Sequence, residues 1–107
     1  MLLGDLGADV IKVERPGDGD QSRGWGPPFV GGESSYFMAV NRNKRSLTCD
    51  YRYPQGREVL QRLLRRADVF ITNERRQSRR VAVGMDYETL SAANPKLIYC
   101  SITGYGM

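Results

Sequence analysis

Residues 54 to 71 read Pro-Gln-Gly-Arg-Glu-Val-Leu-Gln-Arg-Leu-Leu-Arg-Arg-Ala-Asp-Val-Phe-Ile, and this stretch decides the fold class. Pro54 has no backbone N–H to offer, so it fits the first turn of a helix, where that donor lacks an intrahelical partner anyway. Val59, Leu60, Leu63 and Leu64 then recur at helical spacing and form one apolar stripe. Arg57, Arg62, Arg65 and Arg66 lie off the stripe, several of them near the negative end of the helix dipole. Ala67-Asp68 breaks the helix, and Val69-Phe70-Ile71 is a compact strand. A helix feeding directly into a strand points to an α/β arrangement.

The same alternation continues outward. Upstream, Asp9 to Glu14 alternates Val10, Ile11 and Val13 with Lys12 and Glu14, the pattern of a short strand ending in solvent. Residues 15 to 33 follow as a long loop rich in Gly, Pro and Asp, with Trp25, Pro27, Pro28 and Phe29 as apolar anchors; loops of this length in a small domain are more often functional than simple connectors. Ser34 and Ser35 are candidate caps for a short helix through Tyr36, Phe37, Met38 and Val40. That helix ends at the polar cluster Asn41 to Arg45, and Leu47 to Asp50 is a second strand. Downstream, Asn73 to Arg80 reads as a solvated loop with four arginines. Tyr87 to Ala93 is a helix closed by Asn94-Pro95, and Leu97 to Ile102 a last strand before the turn Gly104-Tyr105-Gly106. The first residues place Leu2, Leu3 and Leu6 at helical spacing with Gly7 as a stop but offer no capping residue ahead of them, so the chain reads as beginning inside a helix. The expectation is an α/β fold, partly Rossmann-like, with a mainly parallel sheet, flanking helices, and a sheet incomplete at both ends.

Composition narrows the chemistry. The chain has 107 residues, a net charge of +4, no histidine and two cysteines. One modest core is the most such a length supports. Without imidazole, proton transfer falls to carboxylates or water, and no metal-ligand spacing occurs. Cys49 and Cys100 both fall inside short apolar runs and read as buried, unpaired residues. No stretch approaches the roughly 20 consecutive apolar residues of a membrane span, so the sequence reads as soluble. Asp18 and Asp20 are two apart in the Gly-rich loop, but too few ligands follow for a calcium loop, and a turn is the better reading. The arginine excess suits an anionic partner. In parallel sheets ligands sit beyond the carboxyl ends of the strands, and the segments leaving those ends here are Glu14-Arg15, Asp50-Tyr51-Arg52, Thr72-Asn73 and Thr103-Gly104-Tyr105.

Taken in order, Gly-Asp-Leu-Gly-Ala-Asp-Val-Ile-Lys-Val-Glu-Arg-Pro-Gly (4 to 17), Arg-Gly-Trp-Gly-Pro-Pro-Phe-Val (23 to 30), Asn-Arg-Asn-Lys-Arg-Ser (41 to 46), Ala-Asp-Val-Phe-Ile (67 to 71) and Leu-Ile-Tyr-Cys-Ser-Ile-Thr-Gly-Tyr-Gly (97 to 106) resemble the class III coenzyme A transferases of CaiB/BaiF type, a family that includes formyl-CoA transferase. The resemblance covers nearly the whole chain. It implies that residues 1 to 107 are part of an N-terminal, CoA-binding large domain of an enzyme that moves CoA from an acyl-CoA donor to a carboxylic acid. The wording of the last segment leans toward dicarboxylic acids. The family's nucleophile is an aspartate that attacks the donor thioester; the resemblance places it beyond Met107, so this chain alone is expected to be inactive. It further implies coenzyme A or acyl-CoA as substrate, no metal, an interlocked homodimer, no nucleic acid or membrane partner, and a cytoplasmic location, or a mitochondrial one in a eukaryote.

Carried over by position, the resemblance assigns cofactor-binding roles to Arg15 beside the CoA phosphates, Cys49 in the adenine pocket, Arg52 near the nucleotide end and Asn73 on the CoA body. Thr103 and Tyr105 border the active site. Asn43, Lys44 and Arg45 belong to the signature, and either ligand contact or a capping turn would explain them. The departure lies in residues 74 to 85, where Glu74 stands for an aromatic, Arg76-Gln77 for Pro-Gly, and one residue is extra. Glu74 would weaken binding of an anion unless Arg75 or Arg76 neutralises it. Two other readings remain at this point. One is a small basic module for nucleic acid or another polyanion, from the net charge and the run Arg75 to Arg80. The other is a degenerate gene fragment with exposed sheet edges.

Overall fold

Parallel strands cannot be joined by a tight turn and need a long crossover, and the two parallel pairs of this protein each obey that constraint. The computed structural model describes residues 1 to 106; Met107, the last residue of the expected domain 1 to 107, lies outside them. Contacts divide the chain after Asp50, and each unit has its own parallel pair.

The first unit opens with α1 (Leu2–Asp5) and β1 (Val10–Glu14). A 3-10 turn (Gln21–Gly24) follows, then the short antiparallel ribbon of β2 (Phe29–Val30) and β3 (Glu33–Ser34), α2 (Ser35–Asn41) and β4 (Lys44–Thr48). β1 and β4 run parallel, in register from Val10↔Lys44 to Glu14↔Thr48. The second strand thus starts inside the polar cluster, not at Leu47. The displacement has a physical cause: the side chains that looked like a turn are satisfied one by one while their backbone joins the ladder. Lys44 donates to Asn41, and Arg45 pairs with Asp9 at 2.6 Å. Ahead of the strand, Arg42 and Asn43 both bond Asp5 of α1. Asn43 turns the chain in the left-handed region at φ 60°. Gly4 lets α1 approach that turn, since a Cβ there would lie 2.8 Å from the Asn43 carbonyl oxygen. The cap role expected of Ser34 is met: its hydroxyl accepts from the N–H of Phe37. Phe37 and Cys49 supply the buried apolar part of this unit.

The second unit comprises α3 (Pro54–Leu64), β5 (Val69–Thr72), α4 (Gln77–Ala82), α5 (Tyr87–Ala93) and β6 (Ile98–Ser101). β5 and β6 pair in parallel from Val69↔Ile98 to Thr72↔Ser101. Its core is Leu60 and Leu64 of α3 with Met85, Leu90 and Leu97; Val59, on the edge of the expected stripe, is exposed. Asn94 ties the elements together, its amide donating to the carbonyls of Leu64, the last residue of α3, and of Ala67 just beyond it. Gln61 reaches the Gly84 carbonyl, and the Tyr99 hydroxyl donates to that of Met85.

Two expectations fail in this unit. Cys100 is exposed, because strand alternation puts it with Val69, Ile71 and Ile98 on a face left open to solvent, while Phe70 and Tyr99 pack edge to face on the other. The arginine run is not a solvated loop: its second half is α4, and Arg80 is 2% exposed. Its guanidinium donates to Gln77 one turn earlier and to Ser101 on β6.

Candidate functional site

The carboxyl ends of the two parallel pairs place most of the candidate residues. In the first unit the register ends at Glu14↔Thr48, and the N–H of Cys49 donates to the Glu14 carbonyl at 2.9 Å. Arg15 and Cys49 therefore leave neighbouring strands side by side. In the second unit the N–H of Ile102 donates to the Thr72 carbonyl at 2.8 Å, so Asn73 and the Ile102-Thr103 segment also leave side by side. Thr103 accepts from the N–H of Gly106, which rounds the chain into a turn carrying the fully exposed Tyr105. Arg52 lies in the turn ahead of α3, where its carbonyl accepts from the Arg57 side chain. The exits of Arg15, Asn73 and Thr103 fall where the sequence put them, whereas the exit expected at Asp50 to Arg52 begins at Cys49, because the strand ends at Thr48 rather than Asp50.

A cleft of about 530 Å³ lies beside the second exit, between Arg75, Gln77 and Arg80 on one wall and the Thr103 to Gly106 turn on the other. Among the described residues its lining carries cationic, amide and hydroxyl groups and no carboxylate or thiol side chain; of these, the Arg80 guanidinium is engaged by Gln77 and Ser101 and the Thr103 hydroxyl by the Gly106 N–H. Gln77 and Arg80 were missed by sequence reasoning. Their one available signal was the i, i+3 spacing, which places both on one face of a helix and was masked by the polar composition of the run.

Glu74, the departure from the family pattern, does not confront the solvent as an uncompensated charge. Arg79 pairs with it at 3.2 Å and the Arg76 backbone N–H donates to its carboxylate. Partial burial pushes the Glu74 carboxyl up, but these partners outweigh it and hold the group below its ordinary value. The neutralising side chain is thus Arg79, one turn further along than Arg75 or Arg76.

The segment after Arg15 is organised by a second cluster. Glu14, buried at the end of β1, takes Nε and Nη2 of Arg23 at 2.7 and 2.8 Å and the N–H of Asp20 at 2.9 Å. Asp20 caps the 3-10 turn by accepting from the N–H of Ser22 and pairs with Lys12 at 2.6 Å. The Arg23 guanidinium also lies 4.0 Å over the Phe37 ring. Asp20 is therefore a turn former, as expected, and among the described residues no group of acidic or cysteine side chains could hold a metal ion. Trp25 packs against Tyr36 with ring centroids 5.1 Å apart and planes tilted by 44°, anchoring its loop while remaining half exposed. The Cys49 thiol is pushed up by burial and by Asp50 beside it, so it remains protonated at neutral pH and offers an apolar rather than a nucleophilic surface.

This cluster makes pH a direct probe. The Arg23 side chain holds Glu14 down from 4.5 to about 2, and Lys12 holds Asp20 down from 3.8 to about 2. For depressed carboxyls the stabilisation is complete above the ordinary value and disappears as pH falls through the folded one. Protection of the residue 15 to 20 amides, corrected for intrinsic rate, is expected to stay flat above pH 4.5 and to decline as pH drops toward about 2. Protection that faded instead on raising the pH would contradict this assignment.

Comparison with known proteins gives a consistent picture. The profile of CoA-transferase family III matches residues 1–107. The chain is 52% identical over 106 residues to succinyl-CoA:glutarate CoA-transferase of Homo sapiens, covering 99% of this chain and 24% of that protein. It is 45% identical over 111 residues to formyl-CoA:oxalate CoA-transferase of Bradyrhizobium sp. ORS 278, covering 98% and 24%. A crystal structure of a CAIB/BAIF family protein from Brucella suis superposes with a TM-score of 0.88 at 55% identity, over 96% of this chain and 28% of the other. The chain thus spans about a quarter of the length of these relatives. No helix among the described residues is long and apolar enough to cross a membrane.

Proposed function

This chain belongs to CoA-transferase family III, and on that premise we propose that it supplies CoA-binding elements of an enzyme transferring CoA from an acyl-CoA donor to a dicarboxylic acid. The observation that carries the reading is the pair of strand exits. Arg15 with Cys49, and Asn73 with Thr103, stand where α/β sheets receive ligands, and the guanidinium fork of Arg15 suits a phosphate. Arg52 adds a cation for the nucleotide end, and Thr103 and Tyr105 border the acyl end. The dicarboxylic class is supported by relatives whose names specify glutarate and oxalate. The attacking aspartate is expected outside residues 1 to 107, and a homodimer is the expected working form. Of the arginine run that motivated the polyanion reading, Arg80 is buried and Arg79 pairs with Glu74.

Titration of the 107-residue chain with CoA, followed by backbone amide shifts, tests the proposal. The expected result is movement of the Arg15, Cys49, Asn73 and Thr103 resonances, with Arg15→Ala weakening the affinity about tenfold, the loss of one charge-assisted contact. Succinyl-CoA with glutarate should give no transfer. An affinity indifferent to all four positions, or turnover by this chain, would defeat the assignment.

A further inference from the structure

We infer that Arg23 is a positioning residue for the CoA site, acting on Arg15 through the Glu14 carboxylate; the inference rests on the reading of Arg15 given above. One carboxylate joins both ends of the segment that carries Arg15. Glu14 precedes Arg15 directly, and its Oε2 accepts the N–H of Asp20, closing residues 15 to 19 into a short loop. Gly19, at φ 66°, passes so close over this carboxylate that a Cβ would stand 2.5 Å from Oε2. Backbone here rests on the carboxylate, not merely near it.

Arg23 fixes the carboxylate in turn. Its two-pronged bond sets the carboxylate plane, and its own plane is set by the Phe37 ring of α2 beneath it. Glu14 is buried, so without Arg23 its charge would be driven to find water, and the loop resting on it would lose its seat. The division of labour between the two arginines is visible in their partners. Arg23 is spent on Glu14, whereas Arg15 is exposed and, among the described residues, no ion pair or side-chain hydrogen bond engages it. A phosphate-binding arginine on a slack loop would surrender that loop's freedom upon every binding event; a loop already closed surrenders much less. Arg23 therefore contributes to affinity without touching the ligand.

A double-mutant cycle on the 107-residue chain, with CoA as the probe, reads this directly. Arg23→Gln is expected to speed amide exchange in residues 15 to 20, leave β1 and β4 protected, and weaken CoA binding about tenfold, the size expected for the Arg15 contact it positions. In the Arg15→Ala background the same change should have little further effect, because the group it positions is gone. Arg23→Lys, which keeps the charge and loses the fork, should fall between. Glu14→Gln, which keeps the shape, should reproduce Arg23→Gln in both readouts and guards against a variant that fails to fold. A loosened loop with unchanged CoA affinity, or an equal loss in both backgrounds, would overturn the inference while sparing the role of Arg15. Indifference of CoA affinity to Arg15→Ala would overturn both, and the exchange data would still report whether the clamp exists.

Discussion

Leu60→Ala should destabilise the second unit by about 2 to 5 kcal/mol, the cost of deleting a buried leucine whose neighbours close only partly over the cavity. Leu60 is 3% exposed on the inner face of α3, within a core of Leu64, Met85, Leu90 and Leu97. That core is small, so there are few side chains to relax into the space. Amide exchange of β5 and β6 measures the loss locally: at the lower bound it should accelerate about 30-fold. Val59→Ala is the control one residue away. Val59 is 46% exposed, and its truncation should leave the same amides within about 0.5 kcal/mol of their original protection. Equal effects from the two would mean that the apolar stripe does not face inward as described.

The second large effect is expected at Arg80. Truncation to alanine removes a buried side chain and leaves the Ser101 hydroxyl and the Gln77 amide with one partner fewer each. The sum of lost packing and lost hydrogen bonds is about 2 to 4 kcal/mol. Arg80→Met, which restores most of the volume without the charge, should recover at least half of it, since apolar replacements for buried ionic groups are often tolerated. Urea unfolding monitored by tyrosine fluorescence checks both variants, Tyr99 being packed against Phe70 and Tyr87 beside this site. Because Arg80 also lines the cleft by Thr103, Arg80→Met separates folding from binding: a stable variant with altered CoA shifts at Thr103 would assign the guanidinium to the ligand as well.

Much of this was legible before any coordinates. β1 and α5 fall where periodicity put them, since each has an unambiguous pattern bounded by a clear stop: Glu14 at the edge of a loop in one case, Asn94-Pro95 in the other. The strand exits at Arg15, Asn73 and Thr103 were legible for the same reason, because knowing where a parallel strand ends is enough to know what leaves it; the exit at Cys49 was not, since that strand ends at Thr48. β4 starts three residues earlier than expected and ends two earlier, as Lys44 to Ser46 carry no strand pattern of their own and enter the ladder only because β1 offers partners. The polar side chains of the signature cluster Asn43 to Arg45 meet Asp5, Asn41 and Asp9.

Local pattern thus determined the class of fold and the order of the elements, because propensity, capping and apolar spacing act between residues close in the chain; the family was legible from the resemblance of whole motifs in order. Which arginines are taken up by internal partners and which stay exposed was decided only in three dimensions. Arg15, Arg23, Arg79 and Arg80 are alike in the sequence, and a guanidinium is assigned its work by the carboxylate or hydroxyl that reaches it. For Arg23 that partner is Glu14, nine residues back across a loop, and for Arg80 it includes Ser101, twenty-one residues ahead on another strand. Pairings of this kind depend on chain paths that the fold must first create.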